Sequence, residues 1–339
     1  MNISQAAAST PWHLQPPGFD EIEAAAGRID GHLVKTPLLE SERVNRLIGG
    51  RLLVKAEGLQ RAGSFKARGA WNTLSLMDQQ ARQRGVIAFS SGNHGQAVAW
   101  AANRFGVPAV VIMPQDAPAV KIQRTREWGA EVILYDRLHD DREAIGAAVS
   151  GERQLTLIPP FEDRRIVAGA ATVAKEIVEQ ALDMGFMIDA LAVSCSGGGL
   201  AAGCALAFET MLPQAQVWAA EPEAYDDLRR GLVSGRREKN DLSGRSFCDA
   251  LLAVTTGSMN FNILSPRLKG SIAVSDKHVA HAMRLAFSEF GLVVEPGGAA
   301  SLAAVLTGAI PVADQTVAVL LSGANVDADL FREVLGDSK

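Results

Sequence analysis

From about position 86 onward, short apolar runs alternate with longer stretches of helical spacing. Val86-Ile87-Ala88-Phe89 predicts a strand, and so does Ala109-Val110-Val111-Ile112-Met113, which Pro114 closes. Gly95 to Phe105 is Ala-rich and predicts a helix. Ala119 to Trp128 is amphipathic, ends at Gly129 and predicts another, and Val132-Ile133-Leu134-Tyr135 is the next strand. A second series begins near Arg164, with a helix to about Leu182 and a strand from Ala190 to Ser194. A helix over Leu200 to Met211 and a strand over Val217 to Ala220 follow, and Thr316 to Leu321 forms a late strand. This β-α-β-α-β rhythm implies an α/β fold with mostly parallel, twisted sheets flanked by helices. The apolar stretch from Met187 to Phe208 reads as strand, loop and helix, because Asp189 and three consecutive glycines interrupt it as a membrane span.

Composition narrows the function classes. The chain has 339 residues, 47% hydrophobic and 21% charged, enough for a large core in two domains or one large one. Its 33 Lys+Arg against 38 Asp+Glu give a net charge of -5, which argues against nucleic acid or a membrane surface as partner and for a small molecule. Cys195, Cys204 and Cys248 make neither a paired framework nor a CxxC, as expected of a reducing cytoplasm. Met1 to Pro17 is polar and carries no secretory pattern, so a loosely held tail is expected there. Composition marks no linker; Pro159-Pro160 is the best candidate for a crossing between domains.

Three motifs carry the chemistry. Lys66 sits in Gly63-Ser64-Phe65-Lys66-Ala67-Arg68-Gly69, among small residues and one aromatic ring. A lone lysine is ordinarily a solvated surface charge, but in a partly desolvated site it forms an imine with an aldehyde and acts as a base when released. Ser90-Ser91-Gly92-Asn93-His94 follows a strand and opens a helix. Helix capping explains part of it, and the surplus of polar groups suits a turn that binds a carboxylate. Ser196-Gly197-Gly198-Gly199-Leu200 lies between strand and helix, where backbone N–H groups close on an anion. Taken alone, Gly197-x-Gly199-x-x-Ala202 with Glu221 at the end of the next strand fits a nicotinamide-dependent dehydrogenase as well.

In this order, and followed by Leu321-Ser322-Gly323-Ala324-Asn325, the motifs resemble the fold-type II pyridoxal phosphate (PLP) enzymes. The resemblance is to the serine/threonine dehydratase and serine racemase branch, and it runs from about Phe19 to Phe331. It implies two domains, a discontinuous large one over 18–72 and 163–335 and a small one over 73–162, with a tail over 1–17. It implies that Lys66 carries PLP as a Schiff base and moves protons at Cα. Phe65 would pack on the ring, Asn93 would meet the ring hydroxyl and Ser322 the pyridine nitrogen. Ser196, Gly197, Gly198, Gly199 and Leu200 would cradle the phosphate. Ser90, Ser91, Gly92, Asn93 and His94 would hold the substrate carboxylate, with Ser91 as a second acid/base on the face opposite the lysine. Glu221, Tyr225 and Asp227 would hold Mg²⁺, or Ca²⁺ or Mn²⁺. The implied activity is dehydration and deamination of L-threonine and/or L-serine by a cytoplasmic homodimer. Serine racemase and 3-hydroxyaspartate dehydratase are the alternatives on the same fold, and the dehydrogenase, which has no use for Lys66 or Ser322, is a distant one.

The chain departs from the family pattern at Ala250 and Ala324, where glycine is usual, and each methyl is expected beside the cofactor floor. Glu295 is expected near the ring or as a plain helix-start acid. Phe89, apolar just before the serines, favours serine or threonine over a substrate with a second carboxylate.

Overall fold

The computed structural model describes residues 10–90, 92–136 and 139–336. Among the described residues, ten strands form two sheets. The larger is built from β1 (Leu38–Glu40), β2 (Arg51–Ala56), β7 (Ala190–Ser194), β8 (Gln216–Pro222), β9 (Leu268–Val274) and β10 (Thr316–Leu321). Its order is β1-β2-β10-β7-β8-β9, with only β1 antiparallel. The smaller joins β3 (Val86–Phe89), β4 (Ala109–Pro114), β5 (Glu131–Tyr135) and β6 (Thr156–Leu157) in the all-parallel order β5-β4-β3-β6.

Parallel strands need helical crossovers, and those that place the site are α1 (Lys66–Ser75), α2 (Asn93–Phe105), α3 (Ala119–Glu127), α4 (Arg164–Asp183), α5 (Gly199–Met211), α6 (Asp227–Ser234) and α7 (Pro296–Leu306). Helices cover the sheets closely enough that every residue of β4 and β7 is buried. Each fully buried Leu, Ile or Val contributes roughly 1.5–3 kcal/mol by leaving water. Pro159-Pro160 lies between β6 and α4.

One part of the interior is ionic. Arg68, fully buried in α1, binds Glu57 through both arms of its guanidinium and also reaches Glu176 of α4. Lys55 of β2 completes the group at 2.7 Å from Glu176. Burial works against the charge on Arg68, but Glu57 and Glu176 outweigh it and hold its pKa up. The cluster ties α1 to β2 and α4 two residues beyond Lys66, and so fixes where that lysine emerges.

Part of the segment expected to be a loose tail is ordered. Trp12–Leu14 forms a short 3-10 helix, and the Arg164 guanidinium lies 4.6 Å from the Trp12 ring centre. Positions 1–9 lie outside the described residues. The stretch from Met187 to Phe208 folds as β7, a glycine loop and α5, and among the described residues no helix is long and apolar enough to cross a membrane.

Candidate active site

The carboxyl ends of three parallel strands converge on one cavity of about 410 Å³, within the usual range for small-molecule sites. Ser90 follows β3, Ser196 follows β7 and Ser322 follows β10, and all three line it together with Phe65 and Lys66. An open cleft of about 590 Å³ elsewhere, at Arg43, Arg46, His281 and Arg284, contains none of the motif residues.

Lys66 is the first residue of α1 and Phe65 is its N-cap. The loop before it is pinned to the end of β10: the Phe65 amide donates to the Ser322 carbonyl at 3.0 Å, and Ser64 bridges Gly323. The Lys66 ammonium donates to the Pro160 carbonyl at 2.7 Å and lies 5.1 Å from the Phe65 ring centre. Burial lowers its pKa to about 8, against a smaller opposing pull from Glu295. A neutral amine is therefore available near neutral pH, the form that attacks an aldehyde or takes a proton.

The serine-asparagine turn forms the facing wall. The Ser90 hydroxyl accepts from the Gly92 amide at 3.1 Å. Asn93 opens α2; its amide donates to Glu295, and its carbonyl oxygen accepts from Asn325 at 2.9 Å. The His94 ring nitrogen Nε2 lies 2.9 Å from the Ile158 carbonyl, which can only accept, so Nε2 carries the proton. Burial, with Lys66 adding to it, lowers the His94 pKa to about 3 and keeps the ring neutral. Ser91 lies outside the described residues.

The glycine loop is shaped for an anion. Gly198 has φ +89°, a region that favours glycine, and α5 begins at Gly199. The Gly197 carbonyl is turned away, accepting from Asn260 at 2.7 Å and from the Gly257 amide at 3.1 Å. What remains facing the cavity is the amide-rich start of a thirteen-residue helix, with Leu200 in its first turn. Phe161 presses on the loop so closely that a Cβ on Gly197 would lie 2.3 Å from its ring. A desolvated amine, an anion cradle and a neutral serine at the third wall fit PLP, which when bound supplies an electron sink for amino-acid chemistry.

Glu295, Lys121, Asp249 and Asn325 form a network behind Asn93, and of these Asp249 lines the cavity. Glu295 is fully buried, bonded to Asn93 and 3.3 Å from Lys121, which also donates to Asp249 at 2.5 Å. Asn325 links Asn93 to Arg124 of α3. Lys121 sits in an ordinary amphipathic helix and Asp249 opens a short 3-10 helix over Asp249–Leu251, so neither carried a sequence signal of its own. Of the two departures, Ala250 lines the cavity and backs Gly297. The Ala324 methyl instead faces Gly58, which corrects its expected place beside the cofactor floor. Neither has positive φ. The Phe89 ring lines the cavity and seats against Gly146.

The acidic segment lies apart from the cavity. Glu221, fully buried, accepts from the amides of Leu228 and Arg229 and from the Ser271 hydroxyl at 2.6 Å. It is thus no exposed ribose-binding acid. Asp227 accepts from Asn240 and from the amide and hydroxyl of Thr256. The Tyr225 hydroxyl donates to the Gly244 carbonyl at 3.0 Å. Burial, with Asp227 adding to it, raises the Glu221 pKa to about 8. Burial raises the pKa of both carboxyls, and a pair whose charge is disfavoured in this way suits a hard cation. The described residues hold no cluster of three or more His, Cys, Asp or Glu able to bind a metal, so carbonyls and water would complete any such site.

Comparison with known proteins agrees with this geometry. Residues 29–323 match the family model described as pyridoxal-phosphate dependent enzyme. An L-threo-3-hydroxyaspartate ammonia-lyase from Pseudomonas sp is 36% identical over 95% of this chain and 99% of its own. A serine racemase from Schizosaccharomyces pombe is 35% identical over 95% and 98%. The crystal structure of a T.th. threonine deaminase superposes with a TM-score of 0.86 at 41% identity, covering 92% of this chain and 99% of that one. With a match across most of its length, and with the lysine, the anion loop and the serine wall meeting in one cavity, the chain belongs to the family of pyridoxal-phosphate dependent enzymes.

Proposed function

We propose that this enzyme is an ammonia-lyase that converts L-threonine and/or L-serine to 2-oxobutanoate or pyruvate and ammonia. The observation that carries the reading is the Lys66 amine, pKa about 8, facing the same cavity as the serine-asparagine turn. Lys66 would hold PLP and, once the substrate amine has displaced its Nζ from the cofactor, would take the proton from substrate Cα onto that Nζ. The β carbon–oxygen bond then breaks, and the hydroxyl leaves as water with the proton held on Lys66 Nζ. A water re-enters, carbon–nitrogen cleavage follows, and the net products are one keto acid and one ammonia. Phe65 would pack on the ring, Asn93 would meet its hydroxyl, and Ser322 would meet its nitrogen without enforcing a charge there. A weakly activated sink of that kind suits prompt loss of a β-substituent. Ser196, Gly197, Gly198, Gly199 and Leu200 hold the phosphate. Ser90, Ser91, Gly92, Asn93 and His94 hold the carboxylate, with Ser91 as acid/base on the opposite face.

The similarity to 3-hydroxyaspartate ammonia-lyase and serine racemase supports a second reading, elimination from 3-hydroxyaspartate or racemisation of serine. Keto acid release from L-threonine, L-serine and L-threo-3-hydroxyaspartate, side by side with PLP and Mg²⁺, separates them. Rapid product from either of the first two supports the main reading. Product from the third alone overturns it, and so does chiral inversion of serine without keto acid.

Around this site we assign a large domain over 18–72 and 163–335 and a small one over 73–162. The metal at Glu221, Tyr225 and Asp227 is structural. Three buried free thiols suit the cytoplasm, and a homodimer is the working assembly, to be checked by sedimentation.

A further inference from the structure

Lys121 is a buried charge, paired with the cavity-lining Asp249, that the proposed chemistry does not use. It lies in α3, which connects β4 to β5 of the smaller sheet. Its partners come from the other half of the molecule: Asp249 lies between β8 and β9, and Glu295 lies between β9 and β10. A parallel link runs from Arg124, also in α3, to Asn325 at 2.7 Å and on to Asn93. The Lys121 ammonium also reaches the back of the serine-asparagine turn, since a Cβ on Gly92 would lie 3.4 Å from its Nζ.

The charges are unequal, with one ammonium facing two carboxylates. Burial raises the Glu295 pKa, with Lys121 opposing and Asp249 adding to the rise. Burial disfavours the Lys121 charge too, but Glu295 and Asp249 outweigh it and keep the amine protonated. The hydroxyls and amides of the turn are neutral. Hydrogen bonds alone select poorly between a carboxylate and its amide, whereas a formal charge in a partly desolvated wall selects strongly.

We propose that Lys121 is a positioning residue for the substrate α-carboxylate: held behind Gly92 by Asp249 and Glu295, its ammonium gives the turn its preference for an anion, and Asp249 is the counter-charge that limits that preference. This rests on the reading of Ser90 to His94 as the carboxylate subsite.

The test uses holoenzyme with L-alanine and L-alaninamide, which lack a β leaving group, and reads both dissociation constants from the absorbance of the bound cofactor. Lys121→Met lowers the preference for alanine over its amide by about tenfold, and Lys121→Arg restores most of it. Asp249→Asn moves it the other way, raising it about threefold. Both constants are read on the same holoenzyme, so a change in affinity for PLP, measured separately by fluorescence, cancels from their ratio. Equal weakening of both ligands in Lys121→Met would show a purely structural bridge and overturn the proposal, as would an unchanged or lower preference in Asp249→Asn. The Arg and Asn variants decide the matter if the Met variant does not fold. A wild-type enzyme that binds the amide as tightly as alanine would remove the carboxylate subsite itself, a failure distinct from loss of the Lys121 effect.

Discussion

Lys66 Nζ donates a 2.7 Å hydrogen bond to the carbonyl oxygen of Pro160, 94 positions further along the chain. Pro160 lies in the connection from β6 of the smaller sheet to α4, which packs on the larger one. The amine at the start of α1 is thereby held against the junction of the two halves. The same confinement that orients it also strips away water and draws its pKa down to about 8.

Only the neutral amine reacts with an aldehyde, so trapping of cofactor-free protein by an aldehyde and borohydride should rise with pH through a midpoint near 8 and level off above it. Peptide mapping reads the modified position. Lys66→Ala should retain the far-ultraviolet dichroism of the wild type and lose activity by about 10³-fold or more. Activity within tenfold of wild type would remove Lys66 from its role.

His94 should show no titration between pH 5 and 9, because burial and Lys66 hold its pKa near 3. Nitrogen-15 spectra of the ring would report a neutral Nε2–H tautomer throughout. The stability consequence has a definite sign. The unfolded chain binds a proton near pH 6.5 that the folded chain refuses until about 3, so this group removes stability as pH falls through that window. His94→Gln should flatten that part of the acid unfolding curve.

Much of this was legible in the sequence, and the misses have physical causes. β3, β7 and β10 match the apolar runs to the residue. β2 went unread because Lys55 interrupts Arg51–Ala56, and a lysine is tolerable inside the sheet there because its ammonium donates to Glu176, to Gln180 and to the Thr36 carbonyl. β9 went unread because Lys269 and Gly270 weaken its strand pattern. The motif residues announced themselves because their local composition exceeds what turns and caps need. Lys121 and Asp249 did not, and Asn325 stood inside a motif without its role showing, since their importance comes from long-range pairing that no local window contains.

The Glu221 carboxyl should make the protein sensitive to divalent cations in a pH-dependent way. Its folded pKa of about 8 exceeds the ordinary 4.5, so the folded state holds a proton that the unfolded chain releases, and stability falls as pH rises from 4.5 to 8. A cation bound there would take the place of that proton. In chelator, the melting temperature should drop between pH 5.5 and 8.5, and Mg²⁺ should recover more of it at the higher pH. Glu221→Gln should abolish both the slope and the recovery. An identical response in wild type and variant would exclude a metal at this position.

Arg68→Met should destabilise the protein by about 3–5 kcal/mol in urea unfolding, because it leaves two carboxylates facing only Lys55. Arg68→Lys keeps the charge but loses the two-armed contact with Glu57, and should recover only part of the loss. Adding Glu57→Gln to Arg68→Met should be less damaging than the sum of the two single changes, since it removes the charge left unpaired.

Two glycines in the same loop should fail for different reasons, and the difference can be measured. A methyl on Gly197 meets the Phe161 ring at 2.3 Å, a clash between side chains that a smaller neighbour relieves. Gly198 is held at φ +89°, where a side chain costs roughly 1–2 kcal/mol in the backbone itself, and its Cβ also meets Thr256 at 2.9 Å. Both alanine variants should weaken PLP binding by about tenfold or more, read by fluorescence titration of the cofactor-free protein. Phe161→Leu should restore most of the affinity of Gly197→Ala and none of that of Gly198→Ala. Equal rescue of both would mean that the loop is shaped by packing alone. Rescue of neither would mean that the Phe161 contact is incidental and that the amides of Gly197 and Gly199 must approach the phosphate more closely than any side chain allows.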